Sequence, residues 1–261
     1  IKISRKHVNL FTDVRENNTY FNIELNFPYF FIKMYLCTLN QFKQLIIMKR
    51  LLLIIFLPII GFSQNGPAGI GNTQGNSSLI MWLNAETVQQ DSGSQIRAWL
   101  DKSGFENHAK IEVGIGPIFL KNQINNCNSF KFTPSWTGIL QIDRSEVLSP
   151  DYLSLFIVGK INKGTNPWAG FILKESGGEW KDGYGICIND DKNELIGYTS
   201  DYNDFGIKSS FNYGEYLTTS LHHNPELVEF FKNGSSQGRI QSKTPIKKND
   251  NRLTIGWTGD Y

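Results

Sequence analysis

Residues 184–199 read YGICINDDKNELIGYT, and their interpretation decides the fold. Two runs, Tyr184–Asn189 and Glu194–Thr199, flank the polar tetrapeptide Asp190-Asp191-Lys192-Asn193. Ile, Tyr and Leu suit a pleated, half-buried surface, whereas Asp and Asn close tight turns, so the stretch is a β-hairpin. Working outward, the same grammar recurs. Tyr216–His222 and Leu227–Lys232 pair across Asn224-Pro225, Asn233-Gly234 turns the chain again, and Arg252–Gly256 is a last short run. On the N-terminal side lie Leu79–Asn84, Ile96–Asp101, Phe130–Thr133 and Ile139–Ile142, with Leu153–Lys160 (LSLFIVGK) the longest strand and expected to be buried. After Ile60 no apolar pattern holds the i, i+3, i+4, i+7 spacing of a helix over three turns. The expectation is an all-β, two-sheet antiparallel sandwich of about ten strands.

A different pattern precedes this region. Met48-Lys49-Arg50 is followed by an apolar run from Leu51 to Ile60 and then by Gly61-Phe62-Ser63. A basic head, a short apolar segment and small residues before a cut after Ser63 describe a secretory signal peptide, residues 48–63. A signal anchor would need roughly 18–20 apolar residues. Residues 1–47 contain neither Gly nor Ala and are dominated by residues with A/T-rich codons, the composition of translated non-coding DNA. Met48 is accordingly read as the initiator and 1–47 as non-native upstream translation. The expected product is secreted or displayed at the cell surface, with 64–78 a Gly/Asn/Ser-rich linker and 79–261 the sandwich.

Removing the leader changes the charge. Of 26 basic and 24 acidic residues, 8 and 3 lie within residues 1–64, leaving 18 and 21 beyond. A mildly acidic chain with scattered charges carries no electrostatic footprint for nucleic acid, and no basic amphipathic helix for a membrane surface. No membrane span is expected in the exported part. It holds two cysteines, Cys127 and Cys187, which export would permit to bridge and which could equally remain thiols.

Residues 99–109, WLDKSGFENHA, have the form W-x-D-x-S-G-x-x-N-H-A, and Met81-Trp82-Leu83-Asn84-Ala85 stands before them. Phe130-Lys131-Phe132, Leu155–Lys160, Val228–Gly234 and Leu253-Thr254-Ile255-Gly256 follow in order. This succession resembles the laminin-G-like modules of secreted bacterial proteins, within the concanavalin A-like lectin/glucanase superfamily. The resemblance spans about Leu79 to Gly256 and implies a jelly-roll sandwich. Members continue into a further strand, so the chain is expected to lack its last strand and to leave Leu79–Asn84 with an unpaired edge. It also implies a larger polypeptide with other domains downstream. Locally, Asp101 and Ser103 can accept backbone N–H groups in a turn closed by Gly104, Asn107 can hold the returning loop by its amide, and Trp82 and Trp99 should point into the core. His108 lacks companions at metal-ligand spacing. Calcium is the cofactor that Asp101 with Asn107, Asp190 with Asp191, or Asp201 with Asp204 could take, although none completes a calcium-loop pattern.

Three function classes follow. A glycosidase or lyase of this superfamily needs paired carboxylates about 5–5.5 Å apart for retention, on one strand face. Glu175, Glu179 and Asp182 are the nearest candidates, and Gly177-Gly178 interrupts them, so the chain is expected not to be an enzyme. A glycan binder needs aromatic rings beside hydrogen-bonding loops, the setting of Trp136, Trp168, Trp180 and Tyr202. Polysaccharide or glycoprotein glycans would be its partners. A spacer domain would share the fold without a ligand.

Overall fold

The structure is a computed structural model that describes residues 8–15, 18–27, 30–37, 66–112, 114–133, 138–163, 168–176, 180–200 and 206–256. The signal-peptide reading, Trp136, Tyr202, Asp201, Asp204 and Glu179 lie outside the described residues. The chain divides into two compact units, Ile1–Ser63 and Gln64–Tyr261. In the first, β1 (Val8–Arg15), β2 (Asn18–Phe27) and β3 (Phe30–Cys37) form an antiparallel three-stranded sheet.

The second unit is an all-β antiparallel sandwich. Its strands are β4 (Ala98–Trp99), β5 (Ala109–Lys110), β6 (Ile118–Ile124), β7 (Cys127–Lys131), β8 (Leu140–Ile142), β9 (Leu153–Lys160) and β10 (Gly170–Lys174). There follow β11 (Tyr184–Asn189), β12 (Glu194–Thr199), β13 (Ile207–Ser210), β14 (Tyr216–His223), β15 (Leu227–Lys232), β16 (Ser235–Gln241) and β17 (Leu253–Ile255). One sheet has eight strands in the order β13-β12-β11-β10-β17-β8-β5-β4, the other four in the order β16-β15-β14-β9, and β6 and β7 form a separate two-stranded sheet. Among the described residues the only helical turns are short 3-10 segments.

The hairpin of residues 184–199 forms with the bounds read from sequence, Tyr184 opposite Thr199 and Asn189 opposite Glu194. Asn193 closes it in the left-handed region at φ 52°, a conformation Asn tolerates. Ile186, Ile188 and Leu195 face the four-stranded sheet and join Leu217, Leu221, Val228 and Phe230 in one core cluster. A second cluster gathers Ile96, Ala109, Phe119, Leu140, Ile142, Leu253 and Ile255.

Three expectations need correcting. Leu79–Asn84 is not a strand, and only Leu83 makes a bridge, to Asp101. The groups facing it are largely side chains: Trp82 N–H donates to Asp101 Oδ1 at 2.7 Å, and Ile80 C=O accepts from Asn107 Nδ2 at 2.7 Å and Ser103 Oγ at 3.3 Å. Side-chain partners cannot repeat along a ladder, so the predicted unpaired strand edge does not arise there. Trp99 packs against the core cluster as expected, but Trp82 does not, and the Lys102 ammonium stands 4.6 Å from its ring centroid. β9 has the predicted bounds, yet it is an edge strand whose side chains alternate between half-buried and exposed. From the Gly/Asn/Ser-rich stretch, Gly75 N–H donates to Ser103 C=O at 3.0 Å.

Candidate functional site

In β11 and β12 alternate residues point away from the four-stranded sheet, among them Cys187, Ile196 and Tyr198. Leu173 on β10 lies on the same outer face, opposite Gly185. An outer sheet face would ordinarily meet water, but Leu173, Cys187, Ile196 and Tyr198 are all buried. The covering includes Trp168, from the β9–β10 connection, and Trp180, from the β10–β11 connection. Trp180 stands edge-to-face on Tyr198 with ring centroids 5.1 Å apart, and Trp168 lies 5.8 Å from Trp180 at 50°. Both tryptophans remain half-buried.

Backbone geometry singles the pair out. Trp168 has φ 65° and Trp180 φ 55°. Left-handed backbone is costly for bulky residues and is retained where surroundings over-determine it, often at functional sites. Among the described residues, the other non-glycine positions with positive φ are Ala68, Glu106 and five asparagines.

The loop that presents Trp180 is stapled at its base. Asp182 Oδ1 accepts from Ser176 N–H at 2.8 Å and from Asn249 Nδ2 at 2.7 Å, while its Oδ2 accepts from Ser176 Oγ. Tyr198 Oη donates to Asp182 C=O at 2.9 Å, tying the loop to the sheet beneath. Asn251 Nδ2 donates to Glu175 C=O at 2.7 Å, and Lys174 Nζ donates to Asn251 C=O. Lys174, Glu175 and Asp182 are all buried. Burial pulls the Lys174 ammonium below its ordinary pKa, opposed by Asp250 and Asp182. Burial likewise raises the Tyr198 phenol, with Asp182 and Glu175 adding to the rise. It also raises the Cys187 thiol, with Glu175 contributing. Cys187 and Tyr198 are therefore neutral floor, and Asp182 is spent on three donors. What the arrangement offers a ligand is the ring pair.

The remaining candidates lie elsewhere. Asp101 is a latch: Oδ1 accepts from Trp82 N–H at 2.7 Å and Ser103 N–H at 2.9 Å, Oδ2 from Ser103 Oγ at 2.6 Å and Asn107 N–H at 3.0 Å. Asp101 N–H in turn donates to His108 Nδ1 at 3.0 Å, which accounts for that histidine. Both Asp101 carboxylate oxygens, proposed for calcium at this turn, are thus committed to the protein, and Asn107 Nδ2 donates to Ile80 C=O. Asp190 and Asp191 occupy the hairpin turn, where Asp190 Oδ1 accepts from Tyr213 Oη at 2.7 Å. Among the described residues no three His, Cys, Asp or Glu side chains converge as metal donors. Cys127 and Cys187 are free thiols, the first exposed and the second buried. Among the described residues no helix is long and apolar enough to cross a membrane.

No protein-family model and no curated protein matches the chain. Among solved structures it is similar to Trypanosoma rangeli sialidase, at 12% identity and TM-score 0.39, covering 98% of this chain and 40% of that one. A complex of that sialidase with 2,3-difluoro-KDN gives 10% identity and TM-score 0.44, covering 96% and 39%. Domain 4 of AbnA, a GH43 extracellular arabinanase from Geobacillus stearothermophilus in complex with arabinotriose, gives 9% and 0.34, covering 58% and 68%. The chain thus spans about two fifths of the sialidase length. Because sialidases are enzymes, the expectation that this chain is not an enzyme is withdrawn. At these scores the likeness transfers no reaction to particular residues.

Proposed function

We propose that the sandwich is an exported laminin-G-like module that binds glycans through Trp168 and Trp180. The carrying observation is the ring pair itself: two half-buried tryptophans, both in left-handed backbone, 5.8 Å apart and anchored on Tyr198. Indole faces accept the C–H surface of a pyranose, while the N–H and flanking loop groups meet its hydroxyls. The order of motifs from Trp82 to Gly256 supports the family reading, and the Met48–Ser63 segment supports export to a compartment where polysaccharides and glycoprotein glycans are met.

A glycan array probed with the chain from residue 65, with and without calcium, tests this reading. Binding that falls at least about tenfold in both Trp168→Ala and Trp180→Ala supports it, a loss in line with removing a stacking ring. Absence of binding under both conditions favours a spacer, and binding untouched by either substitution places the sugar elsewhere.

A further inference from the structure

We propose that Lys174 and Asn249 join in an intramolecular isopeptide bond, formed by the protein's own side chains, that ties β10 to the segment leading into β17.

Lys174, the last residue of β10, is a buried cation with little to hold it. It is 3% exposed. Among the described residues its Nζ makes one hydrogen bond, to Asn251 C=O, and no ion pair. An ammonium carries three donors, and keeping two of them unspent away from water is costly. Burial pulls the group toward its neutral form, against Asp250 and Asp182 and together with Arg144. The neutral amine is the form that acts as a nucleophile.

Asn249 stands beside it as a polarised amide. Its Nδ2 donates to Asp182 Oδ1 at 2.7 Å, and its Oδ1 accepts from Asn251 N–H at 3.0 Å. Attack at Cγ needs those two contacts: a donor on the oxygen that gains charge and a carboxyl at the nitrogen that must leave. Gly183 shows how near the two residues lie, since a Cβ there would be 1.7 Å from Lys174 O and 2.9 Å from Asn249 Nδ2. Lys174 Nζ already touches Asn251, and rotation within its four-carbon stem carries it to Asn249 Cγ. Asp182 is 7% exposed, with Ser176 Oγ on its Oδ2. A hydroxyl accepts as well as donates, so Oδ2 can take a proton and keep that contact.

The step balances. Lys174 passes one proton to Asp182 and attacks Asn249 Cγ as the amine, while Asn251 N–H holds the oxyanion on Oδ1. The Nζ–Cγ bond forms, Asp182 returns its proton to Nδ2, the Cγ–Nδ2 bond breaks, and ammonia leaves. The proton shed by Nζ passes through the Asp182 carboxylate and departs with the ammonia as ammonium. One amide replaces another, and no oxidant or reductant is consumed.

The bond falls where the sheet is joined by little backbone. β10 and β17 are in register at one pair, Leu173 with Thr254. A covalent tie from the next residue of β10 fastens that junction and closes a long loop, which restricts the unfolded chain. It also fixes the base of the loop that carries Trp180, through Asp182.

Peptide mapping of the full chain by mass spectrometry, after purification and denaturation, tests the proposal. The expected result is a branched peptide joining Lys174 to Asn249, lighter by one ammonia, about 17 Da, than its two unjoined parts. Mapping is required because a succinimide at Asn233-Gly234 removes the same mass. Lys174→Arg and Asp182→Asn, each checked for folding by near-UV circular dichroism, should give the two peptides separately at full mass. The wild-type map decides even where a variant does not fold. The proposal is overturned if Lys174 of the denatured wild-type chain is a free amine that acetic anhydride acetylates, if the branch falls on Asn251, or if folded Asp182→Asn forms the bond as completely as the wild type.

Discussion

Trp82 and Asp101, nineteen residues apart, are joined by an N–H···Oδ1 hydrogen bond of 2.7 Å. That carboxylate also accepts from Ser103 and Asn107, so one buried side chain gathers two separate segments. Asp101→Ala would leave these donors without an acceptor and should cost about 3 kcal/mol of stability. Chemical denaturation of both proteins measures it; a change below about 1 kcal/mol would mean that water replaces the carboxylate.

Gly75 and Gly104 meet at a second seam of the same loop. Gly104 has φ 87°, and a Cβ there would lie 2.3 Å from Gly75 N and 2.5 Å from Thr73 O. Both backbone conformation and space oppose a side chain, so Gly104→Ala should destabilise by about 2–4 kcal/mol. Thermal melts should show this, with Gly93→Ala as a comparison at a positive φ of 95° where nothing lies within 4 Å.

Trp168→Asn should separate stability from binding. Asn tolerates φ 65° better than Trp does, so relief of backbone strain offsets lost ring contact. Unfolding free energy is expected to move by less than about 1 kcal/mol while glycan affinity falls at least about tenfold. Equal retention of both would contradict a binding role for this ring.

His222 makes stability depend on pH. Its ring stands between Phe156 and Phe231, with Nδ1 bonded to Ser154 Oγ and Nε2 to Ser220 Oγ, each at 2.9 Å. Burial holds its pKa below 6.5, with Glu229 acting in the opposite sense. The unfolded chain then takes the proton first, so stability is present above about pH 6.5 and declines as pH falls through the folded-state value. Urea unfolding from pH 7.5 to 5 should show the decline, and His222→Gln should flatten it.

The two sandwich cysteines should differ in reactivity. Cys127 is exposed, whereas Cys187 is fully buried with its thiol pKa raised. Brief maleimide treatment followed by peptide mapping should modify Cys127 and spare Cys187 until denaturant is added.

The hairpin of 184–199 and the bounds of β9 were legible because a local pattern of β-formers and turn residues sets them. The pairing of Trp168 with Trp180 was legible only as two nominations. Their approach depends on loops brought together by β10, which no local pattern encodes. The edge position of β9 was hidden for the same reason, since an apolar run reads alike in central and edge strands. Leu79–Asn84 looked like a strand because local pattern cannot tell side-chain acceptors from a neighbouring ladder. The β6–β7 hairpin was only half anticipated; its turn, Asn125-Asn126 at φ 47° and 63°, is a weaker signal than Asn-Gly.

β17 has a consequence for biosynthesis. Among the described strands it stands last in sequence, yet it sits between β10 and β8 in the middle of its sheet. Until Leu253–Ile255 emerges, β13 to β10 and β8 to β4 are two unjoined fragments, each with a raw edge. Closure of this layer is therefore governed by contacts distant in sequence and is expected to be slow. A nascent chain stalled before Leu253 would offer those edges to chaperones or export factors rather than to each other.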